Sequence, residues 1–197
     1  MQKITFKNSV VFWQIASFAN TRKIHDFILL EQAFNQNALK EKNKKFLKKF
    51  IDYFKECKNI KSQLYQDVFA SFIISNNFDK TFLEFGATDG LEFSNSYMLE
   101  KLFGWKGVLS EPSSQWHDLL KKNRANTKII TKCIWSETGK TLDFFMSDEG
   151  IYSTLNDFVD SDKSSMPANT EARKKAGKVI PVETISLNDV IREYFDN

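Results

Sequence analysis

The sequence predicts an α/β fold organised around a doubly wound sheet, and three observations support this prediction. Residues 81–85 (TFLEF) have the β-branched and aromatic composition of a short buried strand, with no helical spacing. A turn of small residues at 86–90 (GATDG) leads into an amphipathic helix from about Asn95 to Phe103. The next apparent strand, residues 107–110, ends at Glu111. A strand, a glycine turn and a helix in this order form the entrance to doubly wound sheets, whose ligands lie beyond the carboxyl ends of the strands.

The first 60 residues differ in charge from the rest of the chain. Residues 1–61 contain 13 Lys and Arg against 5 Asp and Glu, whereas residues 62–197 contain 15 against 20. Apolar spacing predicts helices over 10–37 and 38–58. Lysines surround the apolar face of the second helix, so it could either contact a membrane surface or pack on the core with its lysines in solvent. We favour core packing, because Lys is a common residue on solvent-exposed faces.

Composition argues against several classes of site and partner. The basic run has no interleaved glycine or arginine pattern and no reader motif, so no nucleic-acid partner is expected. Cys57 and Cys133 are far apart, and the chain has only two histidines, so neither a disulfide framework nor a protein-built metal site is expected. The apolar segment 10–19 loosely resembles a secretion signal but is too short to span a bilayer. A buried helix is the favoured interpretation, and we expect a cytoplasmic protein with reduced cysteines.

The remaining elements follow from local patterns. Ser62 is a plausible N-cap for a helix over 62–75, and the last turn of a helix after Pro112 carries Lys121, Lys122 and Arg124, which suit the helix dipole. A third strand is predicted at 127–135, with 141–146 pairing back on it as a hairpin arm. Residues 147–178 read as a long polar loop that is functional or mobile. An extended segment at 179–183 precedes a final helix over 187–194, capped by Ser186.

The residues of the glycine turn bear on the kind of nucleotide-like ligand. The G-x-G-x-x-G spacing of dinucleotide sites is absent, because Gly86 and Gly90 are four positions apart. Three acids, Glu84, Asp89 and Glu92, surround the turn and would repel a pyrophosphate. A cationic ligand without phosphate fits better, and S-adenosylmethionine also has a ribose diol for Glu111. A purely structural turn with incidental acids remains the alternative.

Several segments together resemble the FkbM family of S-adenosylmethionine-dependent methyltransferases. They are SQLYQD (62–67), FLEFGATDG (82–90), SNSYMLEKLFGWKGVLSEP (94–112), KKNR (121–124), YSTL (152–155) and VETISLNDV (182–190). The resemblance implies a Rossmann-like class I methyltransferase sheet in residues 61–197, with residues 1–60 as a helical, Lys-rich extension. It also implies S-adenosylmethionine as the cofactor, and usually O-methylation of a hydroxyl on a sugar, glycan or small molecule.

The same resemblance implies the residues that hold the cofactor. They are Gln63, Glu84, Gly86, Ala87, Thr88, Asp89, Gly90, Asn95, Glu111, Pro112, Cys133 and Ile134. Glu111 would bind the ribose hydroxyls, Cys133 and Ile134 would lie near the adenine, and Gln63 would lie at the carboxylate end. Two positions depart from the family pattern: residue 65 is Tyr where the family often has Gly, and residue 88 is Thr where it often has Asn.

The acceptor side of such an enzyme is largely missing from the sequence. Family members continue after the VETISLNDV-like stretch with a strand carrying Asp-x-Glu-Gly, which this chain lacks. We therefore expect an incomplete sheet, which a longer chain, a homo-oligomer or a partner chain would complete. No general base is identified, since His117 reads as a surface residue. Two function classes remain: a methyltransferase, and a non-catalytic or truncated cofactor-binding module.

Overall fold

A computed structural model describes residues 41–74 and 80–195. The helix predicted over 10–37 lies outside these residues. The described helices and strands, in chain order, are α1 (Glu41–Glu56), α2 (Gln66–Ile73), β1 (Thr81–Phe85), α3 (Tyr97–Phe103), β2 (Lys106–Ser110), α4 (His117–Asn123), β3 (Lys128–Ile130), β4 (Cys133–Trp135), β5 (Thr141–Ser147), β6 (Thr154–Leu155), α5 (Pro167–Lys175), β7 (Gly177–Ser186) and α6 (Leu187–Tyr194). Single 3₁₀ turns occupy Ser114–Trp116, Gly150–Tyr152 and Asn156–Phe158.

A three-stranded parallel sheet in the order β1-β2-β3 forms the centre of the mixed α/β fold. Helix α3 connects β1 to β2 and helix α4 connects β2 to β3, as parallel neighbours require. Leu83 of β1 is in register with Val108 of β2, and Leu109 of β2 with Ile129 of β3. Because the strands are parallel and in register, the residues that follow β1 and β2 meet at one edge of the sheet.

Apolar layers cover both faces of this sheet. On one face, Phe82 and Leu109 join a core cluster with side chains of α1, α2, α3 and α4. On the other face, Val108 and Ile130 pack with Val190 of α6. Strands buried on both faces are typical of parallel sheets and explain their continuous apolar composition.

Helix α1 buries its apolar side in the first of these clusters. Leu47, Phe50, Ile51 and Phe54 are buried there, and the Phe50 ring meets that of Phe72 at 5.3 Å between centroids. The core-packing interpretation of residues 38–58 is therefore confirmed for the apolar side of α1. No helix in the described part of the chain is long and apolar enough to cross a bilayer.

A second sheet has the order β4-β7-β5-β6, and it corrects two predictions. The predicted strand 127–135 is two strands, β3 and β4, which belong to different sheets. The break lies at Lys132, whose carbonyl oxygen accepts a hydrogen bond from the Ser110 hydroxyl at 2.6 Å instead of continuing a ladder. Strand β5 is antiparallel to β7 and β6, and it does not pair with the third strand as a hairpin arm.

The predicted loop 147–178 is also wrong, because it contains β6, α5, two 3₁₀ turns and the start of β7. Arg173 holds this segment together from a buried position. Its guanidinium donates to both carboxylate oxygens of Asp162, at 2.8 and 3.0 Å, and to the carbonyl oxygens of Tyr152 and Val159. Short elements tied by one arginine have no apolar period for a sequence pattern to detect.

Helix boundaries are partly as predicted. Ser186 caps α6, since its hydroxyl accepts from the backbone N–H of Asp189 at 3.1 Å. Helix α2 begins at Gln66 and not at Ser62. Tyr65 precedes it with φ 58°, and the Ser62 hydroxyl donates to Asp67 Oδ1 at 2.6 Å instead of capping the helix. Within the described residues β1 pairs only with β2, so β1 lies at an edge of its sheet.

Candidate functional site

A cavity of about 240 Å³ opens at the carboxyl ends of β1 and β2. Six of its fourteen described lining residues come from the parallel sheet and the turns that follow its strands, and eight come from the second sheet and its connecting turns. The lining residues are Phe85, Gly86, Thr88, Ser110, Glu111, Pro112, Cys133, Ile134, Phe144, Gly150, Ile151, Ser153, Thr154 and Leu155. Six of the twelve predicted cofactor residues are among them: Gly86, Thr88, Glu111, Pro112, Cys133 and Ile134.

Glu111 is the buried carboxylate of this cavity, with 3% of its surface exposed. Its Oε2 accepts the backbone N–H of Thr88 at 2.8 Å, and its Oε1 accepts that of Ser113 at 2.8 Å. Burial raises the pKa of the Glu111 carboxyl above its usual value, although these two hydrogen bonds act in the opposite direction. Each carboxylate oxygen keeps a further lone pair, so the group can accept hydrogen bonds from a ligand in the cavity.

Most backbone N–H groups of the glycine turn already donate hydrogen bonds within the protein. From Gly86 to Glu92, each N–H except that of Asp89 has an acceptor. Gly86 and Ala87 donate to Ser110 O, Thr88 to Glu111, Gly90 to Ala87 O, and Leu91 and Glu92 to Asp89 Oδ1. A phosphate-binding loop presents free N–H groups to its anion, and this turn does not.

Glu84 and Asp89 do not line the cavity. The Glu84 carboxylate is buried and accepts from the hydroxyls of Ser94 and Ser96 and from the backbone N–H of Asn95. It therefore fixes the segment before α3 from within the fold. Asp89 Oδ1 accepts hydrogen bonds from the backbone N–H groups of Leu91 and Glu92, just after it in the chain. Glu84 and Asp89, which suggested a cationic ligand, thus form hydrogen bonds elsewhere, and in the described part of the chain only Glu111 brings a carboxylate to the cavity.

The other four predicted residues also lie outside the lining. Ala87 is buried, Gly90 packs under α4, and Asn95 and Gln63 are exposed. Gly90 has φ +74°, and a Cβ there would come within 2.6 Å of the side chains of Arg124 and Leu120. The predicted set of twelve therefore contains both residues that line the cavity and residues that pack or lie outside it.

Arg124 lies at the end of α4, as predicted, but its burial was not predicted. It is 0% exposed. Its guanidinium donates to Glu100 Oε2 at 2.6 Å, to the Gly90 carbonyl oxygen at 3.1 Å, and to the hydroxyls of Ser94 and Ser96 at 3.2 and 3.0 Å. Arg124 thereby links the end of α4 to the glycine turn through the Gly90 carbonyl oxygen. The KKNR segment of the family resemblance contained it, but the segment does not indicate burial.

The sequence also did not predict the wall of the cavity that the second sheet and its connecting turns form. Phe144, Ile151 and Leu155 give it an apolar surface, with the hydroxyls of Ser153 and Thr154 among them. Gln115 spans the two walls, since its Nε2 donates to Ser113 Oγ at 3.0 Å and to the Ser147 carbonyl oxygen at 3.2 Å. The one sequence signal for this wall was the YSTL segment, which lay inside the predicted loop.

Among the described lining residues, two have titratable side chains, Glu111 and Cys133. Burial raises the pKa of the Cys133 thiol, and the nearby Glu111 charge raises it further. His117 is half-buried, with Nε2 at 2.8 Å from the Glu111 carbonyl oxygen, and it does not line the cavity. Within residues 41–74 and 80–195, no group of three or more His, Cys, Asp or Glu could hold a metal ion.

Comparison with known proteins leaves the geometry as the basis for assigning a function. No family model, curated protein or solved structure matches the chain.

Proposed function

We propose that the chain is an S-adenosylmethionine-dependent methyltransferase with a Rossmann-like sheet, acting on a hydroxyl of a sugar, glycan or small molecule. The observation that carries the proposal is the placement of Glu111. A buried carboxylate at the carboxyl end of β2, held by two backbone N–H groups, faces a cavity beside the glycine turn. This is the position at which nucleoside-binding α/β proteins accept hydrogen bonds from a ribose diol.

The hydrogen bonds already made by the turn support a ligand without phosphate. Because its N–H groups already donate within the protein, a pyrophosphate would lose its usual backbone donors. The start of α3 is also occupied by an anion, since Glu84 accepts the N–H of Asn95 at 2.7 Å. S-adenosylmethionine has a ribose and an adenine but no phosphate, so it fits these restrictions better than a dinucleotide does.

Two backbone conformations support the family resemblance. Tyr65 has φ 58° and Thr88 has φ 48°, so both lie in the left-handed region. Gly and Asn adopt that region most readily. These are the residues that the FkbM family often has at the two positions, so the left-handed backbone here is one that the family's usual residues would also favour.

The lining of the cavity supports its assignment to the nucleoside part of the cofactor. Glu111 would accept from the ribose hydroxyls, and the apolar wall with Ile134 and Phe144 would take the flat adenine ring. When bound, S-adenosylmethionine supplies an electrophilic methyl group. The protein must then hold the acceptor hydroxyl in line with that methyl group and remove its proton.

The alternative, a cofactor-binding module without catalysis, is favoured by the composition of the cavity. Among the described lining residues only Glu111 and Cys133 titrate, and Glu111 is engaged by two backbone N–H groups. Neither residue is assigned as the base. The two candidates share cofactor binding and differ in methyl transfer.

Calorimetric titration with S-adenosylmethionine and S-adenosylhomocysteine tests the shared step. We expect binding of both, and a loss of about 10- to 100-fold in affinity for Glu111→Ala, because a hydrogen bond to a charged group is worth about 1.5–3 kcal/mol. Glu92→Ala is the matched control, since Glu92 is an exposed acid that follows the glycine turn and does not line the cavity. No binding by the wild-type chain, or equal affinity in the Glu111→Ala variant, would reject the proposal.

Transfer of a labelled methyl group then separates the two candidates. The chain is incubated with methyl-labelled cofactor and a panel of glycans and small molecules that carry free hydroxyls. Label in any acceptor supports the methyltransferase. Tight cofactor binding without label in any acceptor supports the binding module.

A further inference from the structure

The part of the cavity wall that belongs to the second sheet includes a short irregular segment, residues 150–155. Five of its six residues line the cavity: Gly150, Ile151, Ser153, Thr154 and Leu155. The segment consists of one 3₁₀ turn and the two-residue strand β6, and all six residues are half-buried or exposed. A segment with little regular structure and little buried apolar surface opens easily unless contacts from another element hold it.

The buried Arg173 of α5 provides such contacts. Its Nε donates at 2.7 Å to the carbonyl oxygen of Tyr152, which lies between the lining residues Ile151 and Ser153. Its Nη1 donates at 2.7 Å to the carbonyl oxygen of Val159, shortly after the chain leaves the wall. Because a guanidinium carries its donors in a rigid planar fork, these two bonds fix the two carbonyl groups relative to each other.

Asp162 fixes the Arg173 guanidinium in turn. Its two carboxylate oxygens accept from Nη1 and Nη2 at 2.8 and 3.0 Å, and Oδ1 also accepts from the Thr170 hydroxyl at 2.8 Å. Bidentate pairs of this kind are strong and specific in geometry. Helix α5 is itself joined to the second sheet, because the Ala176 carbonyl oxygen at its end accepts from the Asp148 N–H at 3.0 Å and β7 follows directly. Arg173 therefore ties the wall to an anchored helix.

We propose that Arg173 is a positioning residue for the ligand: its pair with Asp162 holds residues 150–155 in the conformation that lines the cavity before a ligand binds. The inference rests on the proposed function and adds to it a residue outside the described lining. A wall that is already ordered favours binding, because the ligand does not have to order it. Without the pair the ligand must order the wall, and affinity falls although every lining residue is unchanged.

Calorimetry on the full chain with S-adenosylhomocysteine tests the effect on affinity, at a temperature at which circular dichroism shows each variant to be folded. We expect Arg173→Met and Asp162→Asn each to lose about 5- to 20-fold in affinity. Asp162→Asn retains the Arg173 bonds to the two carbonyl groups, so it carries the test if Arg173→Met does not fold. Lys174→Met is the matched control, because Lys174 makes an exposed pair with Asp160 from the next position of the same helix, and it should leave the affinity unchanged.

Amide hydrogen exchange separates positioning of the wall from general stabilisation of the fold. In Arg173→Met and Asp162→Asn we expect faster exchange in residues 147–160, little change in β1 and β2, and slower exchange in residues 147–160 once S-adenosylhomocysteine is added.

The outcomes distinguish this inference from the proposed function. Binding by the wild type with equal affinity in the two variants would overturn the inference and leave the proposed function standing. Faster exchange over the whole chain, with no local effect of the ligand, would show that Arg173 only stabilises the fold and would also overturn the inference. If the wild type does not bind S-adenosylhomocysteine, the proposed function fails and the inference fails with it.

Discussion

The Arg124 guanidinium donates a hydrogen bond to the Gly90 carbonyl oxygen, with 3.1 Å between Nη1 and O. This bond joins the end of α4 to the glycine turn, 34 positions earlier in the chain. The same side chain lies 5.6 Å from the centroid of the Phe82 ring and bonds Glu100 at 2.6 Å. One buried cation thus connects β1, the turn and α3, and it holds the turn at the position from which Gly86 and Thr88 line the cavity.

Replacing Arg124 is expected to destabilise the fold strongly. Arg124→Met keeps an apolar stem but leaves the partly buried carboxylate of Glu100 without its guanidinium partner. Breaking a buried pair from one side costs about 3–5 kcal/mol. Urea unfolding measures the change, with Lys121→Met as the control, because Lys121 is exposed in the same helix. If both variants lost the same small amount of stability, Arg124 would have no supporting role.

Gly90→Ala is expected to cost more than the same change at another left-handed glycine. Gly90 and Gly104 have φ values of +74° and +67°, so both substitutions pay a conformational cost of about 1–2 kcal/mol. At Gly90 the new Cβ would also come within 2.6 Å of Arg124 and Leu120, whereas nothing lies within 4 Å at Gly104. Overpacking should add about 1–3 kcal/mol at Gly90 alone. Thermal unfolding of the two variants isolates this difference, and equal losses would mean that the turn moves away without cost.

The local part of this arrangement could be predicted from the sequence, and the tertiary part could not. Residues 81–85, the turn and Glu111 follow from composition and order, because a strand and a turn are decided by neighbouring residues. The burial of Arg124 depends on Glu100, 24 positions away, and a last-turn arginine in solvent has the same local pattern. The strand break after residue 130 has a similar origin, since strand propensity does not indicate which sheet a strand joins.

In the cavity, too, the local features could be predicted from the sequence and the tertiary contacts could not. Glu84, Asp89 and Glu111 were predicted as site residues because they are acids near the ends of strands. That pattern does not tell whether a carboxylate faces the cavity or the interior of the fold. Only Glu111 points into the cavity, whereas Glu84 and Asp89 are used inside the fold. The wall from Gly150 to Leu155 has no period, because single 3₁₀ turns and a two-residue strand are too short to show one.

Thr88→Asn is expected to stabilise the chain by about 0.5–1 kcal/mol, since Asn tolerates the left-handed region better than a β-branched residue does. The backbone N–H that Glu111 accepts is retained.

Tyr65→Gly relieves the same kind of strain but should still destabilise by about 2–4 kcal/mol. The reason is that the buried Tyr65 ring packs on Phe54, with 4.9 Å between centroids. Urea midpoints of the two variants should therefore shift in opposite directions, and a loss of stability in Thr88→Asn would show that φ 48° is not a source of strain.

Asp67 gives the chain a stability that depends on pH. Its side chain is 0% exposed, and Oδ1 accepts from the Ser62 hydroxyl and the Val68 N–H, whereas Oδ2 is buried with no partner among the described residues. Burial raises the pKa of the Asp67 carboxyl above its usual value, against the opposing effect of these hydrogen bonds. When the pKa in the folded state lies above that in the unfolded state, the folded state binds more protons between the two values. Stability is therefore lost as pH rises through that window.

Asp67→Asn removes this loss, because the amide keeps an oxygen for Ser62 and Val68 and carries no charge. We expect the variant and the wild type to be equally stable at about pH 4, and the variant to be more stable by about 1–3 kcal/mol at about pH 8. Urea unfolding across this range measures the difference. Asp52→Asn is the control, since it makes the same chemical change at an acid that is exposed on α1. A difference that stays constant with pH would mean that Asp67 does not titrate between the folded and unfolded states.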